Sequence, residues 1–204
     1  VRTLTADPDA FSQAAARVRA ARIRPEFRVD EAPAPQRLAP FALALTVESA
    51  FEDRDPVSGR FVLLHDPDGV DEWEGTFRAV VFVRAALEPD LVADPMLHDV
   101  GWSWLVESLA EAGADAVQLG GTVTATAGQS FGSLADRPRD GFVEIRASWT
   151  PEQVGSTPVH DLMELHVEAW IELLRHATGL LPMAPGLSQM HAAQIHPAPV
   201  RTQA

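Results

Sequence analysis

The chain has 204 residues, 46% of them hydrophobic and 22% charged, enough for one domain with a substantial core. It contains no cysteine, which excludes disulfides, thiol nucleophiles and thiolate metal sites. A net charge of −13 disfavours a nucleic-acid partner, because affinity for a phosphate backbone comes from neutralising its charge.

Lysine, asparagine and tyrosine are also missing, and all sixteen basic residues are arginine. A GC-rich genome explains this usage without invoking nucleic-acid binding. No apolar run approaches the ~18 residues of a membrane span, and no basic stretch leads into an apolar one as in a secretory leader. The expectation is a soluble, cytoplasmic protein with no membrane partner. Residues 1–37 hold seven arginines against five acids, whereas residues 38–204 hold nine against twenty-four. Arg17, Arg19, Arg22, Arg24 and Arg28 could dock on an acidic partner surface, but are expected to dock on the acidic body of the same chain or to be simply solvated.

In chain order, Asp7-Pro8 supplies an N-cap acceptor and a proline at the first helical position. Phe11, Ala14, Ala15, Val18 and Ala21 then recur at helical spacing, predicting a helix over 8–22. Residues 25–40 carry four prolines and read as an extended strap. Three strands follow: Phe41–Ser49, Gly59–His65 closed by the turn Asp66-Pro67-Asp68-Gly69, and Thr76–Ala86. Both faces of the third are largely apolar, which suits a central strand covered on both sides. Asp94-Pro95 opens a second helix that Gly113 ends. Strands over Val117–Ala127 and Phe142–Trp149 come next; in the latter Val143, Ile145, Ala147 and Trp149 alternate with Glu144, Arg146 and Ser148. Thr157-Pro158 starts a third helix with Met163, Val167, Trp170 and Leu174 as its buried stripe, ended by Gly179. The order α-β-β-β-α-β-β-α, without βαβ alternation, predicts an α+β fold on a five-stranded antiparallel sheet. The domain is expected over residues 1–181, with 182–204 as an extended or disordered tail.

Candidate chemistry is thin. Gly128-Gln129-Ser130-Phe131-Gly132 spells G-x-S-x-G, but no helix follows to make a nucleophile elbow. His160, Asp161, Glu164, His166 and Glu168 suggest metal ligands, yet His166 points away from the face shared by 160, 164 and 168. A solvated acidic face fits better, so no metal, cofactor or catalytic set is expected. The run from Asp66 to Glu72 lacks the ligand spacing of a calcium loop. Trp102, Trp149 and Trp170 fall on apolar faces and are expected in the core. Trp104 points elsewhere on its helix, and Trp73 lies between Glu72 and Glu74. These two are the candidate partner-binding residues.

Several segments together carry a family resemblance. They are Arg24-Pro25-Glu26-Phe27-Arg28, Ala34-Pro35-Gln36-Arg37-Leu38-Ala39-Pro40 and the stretch from Gly59 to Pro67. Trp73-Glu74-Gly75-Thr76-Phe77-Arg78, Gly101-Trp102-Ser103-Trp104-Leu105 and the stretch from Glu144 to Pro151 follow in the same order. The set resembles an actinobacterial family of unknown function, the domain of unknown function number three thousand, over about residues 10 to 180. That family has no assigned activity, so the resemblance carries over no catalytic residues. The element order alone also resembles the type III secretion chaperones and the YbjN-like proteins, a likeness of fold and not of motif. The reading is therefore a non-enzymatic protein-interaction module, chaperone-like and dimeric, that holds a partner or a second copy by an exposed strand edge or helix face. The alternative is a small-molecule binding protein or enzyme with a pocket between sheet and helices, lined by Arg78, Arg84, His65 and Trp149.

Overall fold

The period-2 burial of the strands builds one sheet with one deeply buried face. Phe27 and Val29, then Leu43, Leu45 and Val47, then Phe61 and Leu63, then Phe77, Ala79, Val81 and Val83 are all buried, two residues apart within each strand. The computed structural model describes residues 10–50, 57–182 and 195–196. It contains strands β1 (Phe27–Ala32), β2 (Phe41–Ser49), β3 (Val57–Val70), β4 (Gly75–Ala86), β5 (Ala116–Gly128) and β6 (Asp140–Pro151). The helices are α1 (Ala10–Ala20), the single turn α2 (Pro89–Val92), α3 (Leu97–Ala112) and α4 (Met163–Ala177). The sheet runs β1-β2-β3-β4-β6-β5, with every neighbouring pair antiparallel. Among the described residues no helix is long and apolar enough to cross a membrane.

The α+β class and the antiparallel sheet agree with the sequence, but the sheet has six strands rather than five. The added strand is β1, inside the segment read as a proline strap. Pro25 and Pro33 flank Phe27–Ala32 without entering it, so every one of its residues keeps a backbone N–H for pairing with β2. The helix order also changes. Residues 94–113 do not make one helix from Asp94: the turn α2 comes first, and Asp94 Oδ1 accepts the Met96 N–H at 2.8 Å just before α3. Gly113, in the left-handed region at φ 66°, ends α3 as expected. β3 runs past the predicted Asp-Pro-Asp-Gly turn to Val70, with a register shift between His65 and Val70. The chain reverses instead through the 3₁₀ turn Asp71–Trp73. Val159–Leu162 is likewise 3₁₀, so α4 begins at Met163. The Asp7-Pro8 helix start, the Glu52–Pro56 turn and nearly all of the tail lie outside the described residues. Within the tail, His196 N–H donates to Val29 O at 3.0 Å and His196 O accepts from Glu31 N–H at 2.8 Å, along β1.

Helices α1, α3 and α4 cover one face of the sheet. Trp149 and Trp170 are fully buried there with Phe61, Met163 and Leu173. Burying each tryptophan removes some 150–250 Å² from water, and truncating one costs about 3–5 kcal/mol. Helix and sheet approach closely at two glycines. A Cβ on Gly59 would come within 2.9 Å of Phe82 O and 3.2 Å of the Trp170 ring, and one on Gly101 within 2.9 Å of Val123. The N-terminal arginines dock on the chain's own acids: Arg17 on Asp161 and Glu164, Arg22 on Glu168, Arg19 on Glu31. The acidic face of α4 is therefore partly covered by α1 and the residues after it, not left to solvent.

The opposite face is only partly covered. Ala44, Val62 and Leu64 form a small buried cluster beneath Ala34 and Ala39 of the strap, with Trp73 packed against it. Beyond this cluster β4 is open. Val80, at the edge of the cluster, and Phe82 are half-buried and Arg84 is exposed, contrary to the expectation of a strand covered on both sides.

Candidate functional site

Alternation separates the four residues of the alternative pocket. Arg78 and Arg84 lie on the open face of β4. His65 and Trp149 lie on the helix-covered face. His65 stacks on Phe77 at 4.1 Å between ring centroids, with Phe11 and Phe41 around it. Its Nδ1 is 2.9 Å from Thr76 O, and a carbonyl only accepts, so Nδ1 carries the proton. Desolvation lowers its pKa, and the Thr76 contact and Asp66 oppose that only in part. Trp149 Nε1–H donates to His166 Nδ1 at 3.0 Å. Burial holds the His166 pKa down at about 4, so this imidazole is neutral at pH 7. Both histidines are spent on packing and hydrogen bonding inside the core. Arg78 donates to Ser148 Oγ at 2.7 Å and to Thr150 Oγ1 at 3.1 Å. Arg84 lies directly opposite Glu144, yet it stacks over Phe142 while Glu144 pairs with Arg146 at 2.8 Å.

The partner-binding candidates also divide. Trp73 is half-buried against the strap cluster, and its carbonyl accepts from Thr150 Oγ1 at 2.5 Å. Trp104 lines a groove of about 250 Å³ between α2, α3 and the end of α4, with Leu87, Leu91, Val100 and Ala177. Leu91 and Met96 on its rim are 53% and 62% exposed. Trp102, expected in the core, is only half-buried. On α3, Leu97 and Trp104 meet the end of α4, Glu111 pairs with Arg175 of α4, and Gly101 sits on Val123 and Ile145. At 100° per residue this leaves Trp102 and Val106 on the flank away from α4, above the outer margin of β5.

Among the described residues that margin is an edge of the sheet. β5 is 13 residues long and, among the described residues, pairs with β6 on one side only and closes the sheet at that end. None of its residues, Ala116 to Gly128, is charged. Natural edge strands are usually blunted by charges, prolines or covering elements. Here a register shift between Val117 and Gly120, with Gln118 at φ 50°, irregularises one end only, and Gly120–Gly128 stays regular. The missing charge was readable in the sequence. The edge position was not, because β6 inserts between β4 and β5.

The G-x-S-x-G segment leaves β5 as an exposed loop followed by the 3₁₀ turn Gly132–Leu134, which is not a nucleophile elbow.

In comparison with known families, the model described as protein of unknown function (DUF3000) matches residues 7–187. The chain belongs to this family. The match includes the first residues beyond Pro182, slightly further than the sequence segments indicated. No curated protein and no solved structure matches the chain. The secretion-chaperone likeness rested on a five-strand order and gains no support from the six-stranded sheet.

Proposed function

We propose that this DUF3000 chain is a non-enzymatic interaction module whose binding element is the open edge of β5, and that the occupant of that edge is a second copy of the chain. The supporting observation is the uncharged, regular stretch Gly120–Gly128 with one side unpaired. Thr122, Thr124 and Thr126 alternate with Val123 and Ala125, so an antiparallel copy centred on Thr124 sets threonine against threonine on the open face. Val123 and Ala125, only half-buried in one chain, then meet their counterparts under the helices. Trp102 and Val106 overhang the same margin and add apolar contact across the two-fold. The charge of −13 per chain opposes association, but the edge itself carries none, and repulsion beyond about 8 Å is screened at physiological salt. The module is chaperone-like only in that an open sheet edge accepts an extended segment of another chain.

Light scattering coupled to size exclusion tests this at micromolar concentration. The expected result is a dimer that Thr124→Lys converts to monomer, because like charges then face each other across the axis. Val106→Glu, on the helix flank, should weaken it too. A wild-type monomer, or a dimer indifferent to both substitutions, refutes the reading.

A further inference from the structure

The open face carries a second feature, which begins at Gly120 and Thr122 of β5 and extends across the sheet to β3. The register places Arg60, Phe82, Arg146 and Thr122 side by side across β3, β4, β6 and β5. The next row holds Val62, Val80, Ser148 and Gly120. Together these rows line a groove of about 440 Å³, within the range of small-molecule sites. Its floor is apolar, its rim is cationic, and Arg78 reaches its margin through Ser148.

The charge pattern is what needs a partner. Although the chain has 29 acids for 16 arginines, Arg60, Arg78 and Arg84 have no carboxylate within ion-pair distance among the described residues. On the helix side Arg17, Arg19, Arg22, Arg24 and Arg175 are each paired with an acid. Among the described residues Arg60 makes only a 2.8 Å bond to Pro33 O, and Arg146, the one paired member, also lies 5.5 Å from the Phe82 ring centroid. Arg78 is half-buried with hydroxyl oxygens as its only acceptors among the described residues, and desolvation lowers its pKa. Because Ser148 Oγ accepts from Arg78, its own O–H is free to donate into the groove. At Gly120 a Cβ would meet no atom within 4 Å, so this position faces open space.

We infer that this groove binds a small organic anion, an aryl or acyl carboxylate or phosphate. Its apolar body lies on Val80 and Phe82, and its charged head is held by Arg60, Arg146 and the Ser148 hydroxyl. Arg60 and Arg146 stand two strands apart, about 10 Å at the backbone, a span that suits one such molecule. An extended polyanion is disfavoured by the acidic remainder of the chain.

Calorimetric titration of the full chain with 2-naphthoate, octanoate and phenyl phosphate tests this, with 2-naphthalenemethanol as the neutral counterpart. At least one anion should bind saturably at one per chain. The alcohol should bind about tenfold more weakly or less, as expected for loss of a charge-assisted contact. Arg60→Gln and Arg146→Gln should each weaken the anion several-fold. Gly120→Leu should abolish binding by filling the groove, since a Cβ at this position meets no atom of its own chain within 4 Å. The inference is overturned if none of the three anions saturates, if the alcohol binds equally, or if Gly120→Leu binds as wild type. Tighter binding of a ten-nucleotide single strand than of any small anion also overturns it.

Discussion

Replacing His166 by asparagine should remove a large part of the acid sensitivity of the fold. The wild-type imidazole is neutral in the core, with a folded pKa of about 4 against an ordinary 6.5. As pH falls below 6.5 the unfolded chain takes up a proton that the native chain refuses until about pH 4. Stability from this group is therefore complete above pH 6.5, is lost as pH falls towards 4, and is constant below that. The linkage integral gives a loss of roughly 2 kcal/mol between pH 7 and pH 5, and roughly 3 kcal/mol by pH 4. Asparagine does not titrate, and its Oδ1 can stand where Nδ1 accepts the Trp149 N–H. The variant starts less stable at pH 7, by about 1–3 kcal/mol for the lost ring volume. The gap between wild type and variant should then narrow by roughly 2 kcal/mol on going to pH 5. Urea unfolding at pH 7, 6 and 5, followed by tryptophan fluorescence, reads this difference directly. The depressed pKa of His65 acts in the same direction in both proteins and cancels. Parallel loss of stability in the two proteins would refute the reasoning.

Other substitutions have equally specific outcomes. Trp149→Phe deletes the donor to His166 without touching the titrating group, so it should lower stability by about 1–3 kcal/mol and leave the pH slope intact in the same urea series. Gly59→Ala drives a methyl group onto Phe82 O, Val47 and the Trp170 ring, and should cost about 2 kcal/mol or more by thermal unfolding. Arg22→Ala removes a two-contact pair with Glu168 in which the arginine side chain is 62% exposed, and should change stability by less than about 1 kcal/mol; a larger loss would mean that the pair anchors the N-terminal segment.

The fold was legible wherever pattern is local. The alternation of Val143, Ile145, Ala147 and Trp149 against Glu144, Arg146 and Ser148 assigned both faces of β6 correctly, and the helical stripe of Met163, Val167, Trp170 and Leu174 is buried throughout. β1 was hidden because its six residues sit between prolines that resemble loop punctuation. The candidate sites failed for a different reason. Grouping Arg78 and Arg84 with His65 and Trp149 required knowing which alternating set of each strand meets which set of its neighbour, a matter of register across several pairings. The row Arg60, Phe82, Arg146, Thr122 has the same origin. No spacing within one segment reveals it, although Arg60 between Gly59 and Phe61 shows the alternation of its own strand. Trp104 was singled out because its direction on α3 had no packing partner in the sequence. That partner is the end of α4, brought alongside from more than sixty residues away.

Because the chain has no cysteine, disulfide trapping tests the β5 edge most directly. Single substitutions Thr122→Cys, Thr124→Cys and Thr126→Cys, with Ser12→Cys on α1 as control, are oxidised at low micromolar concentration. Directly opposed residues of an antiparallel pair lie about 4.5–5.5 Å apart at Cα, within disulfide reach. Thr124→Cys should give a covalent dimer in high yield, as should an equal mixture of Thr122→Cys and Thr126→Cys, while Ser12→Cys stays monomeric. Absence of covalent dimer from all the β5 thiols, or equal yield from Ser12→Cys, would contradict the account.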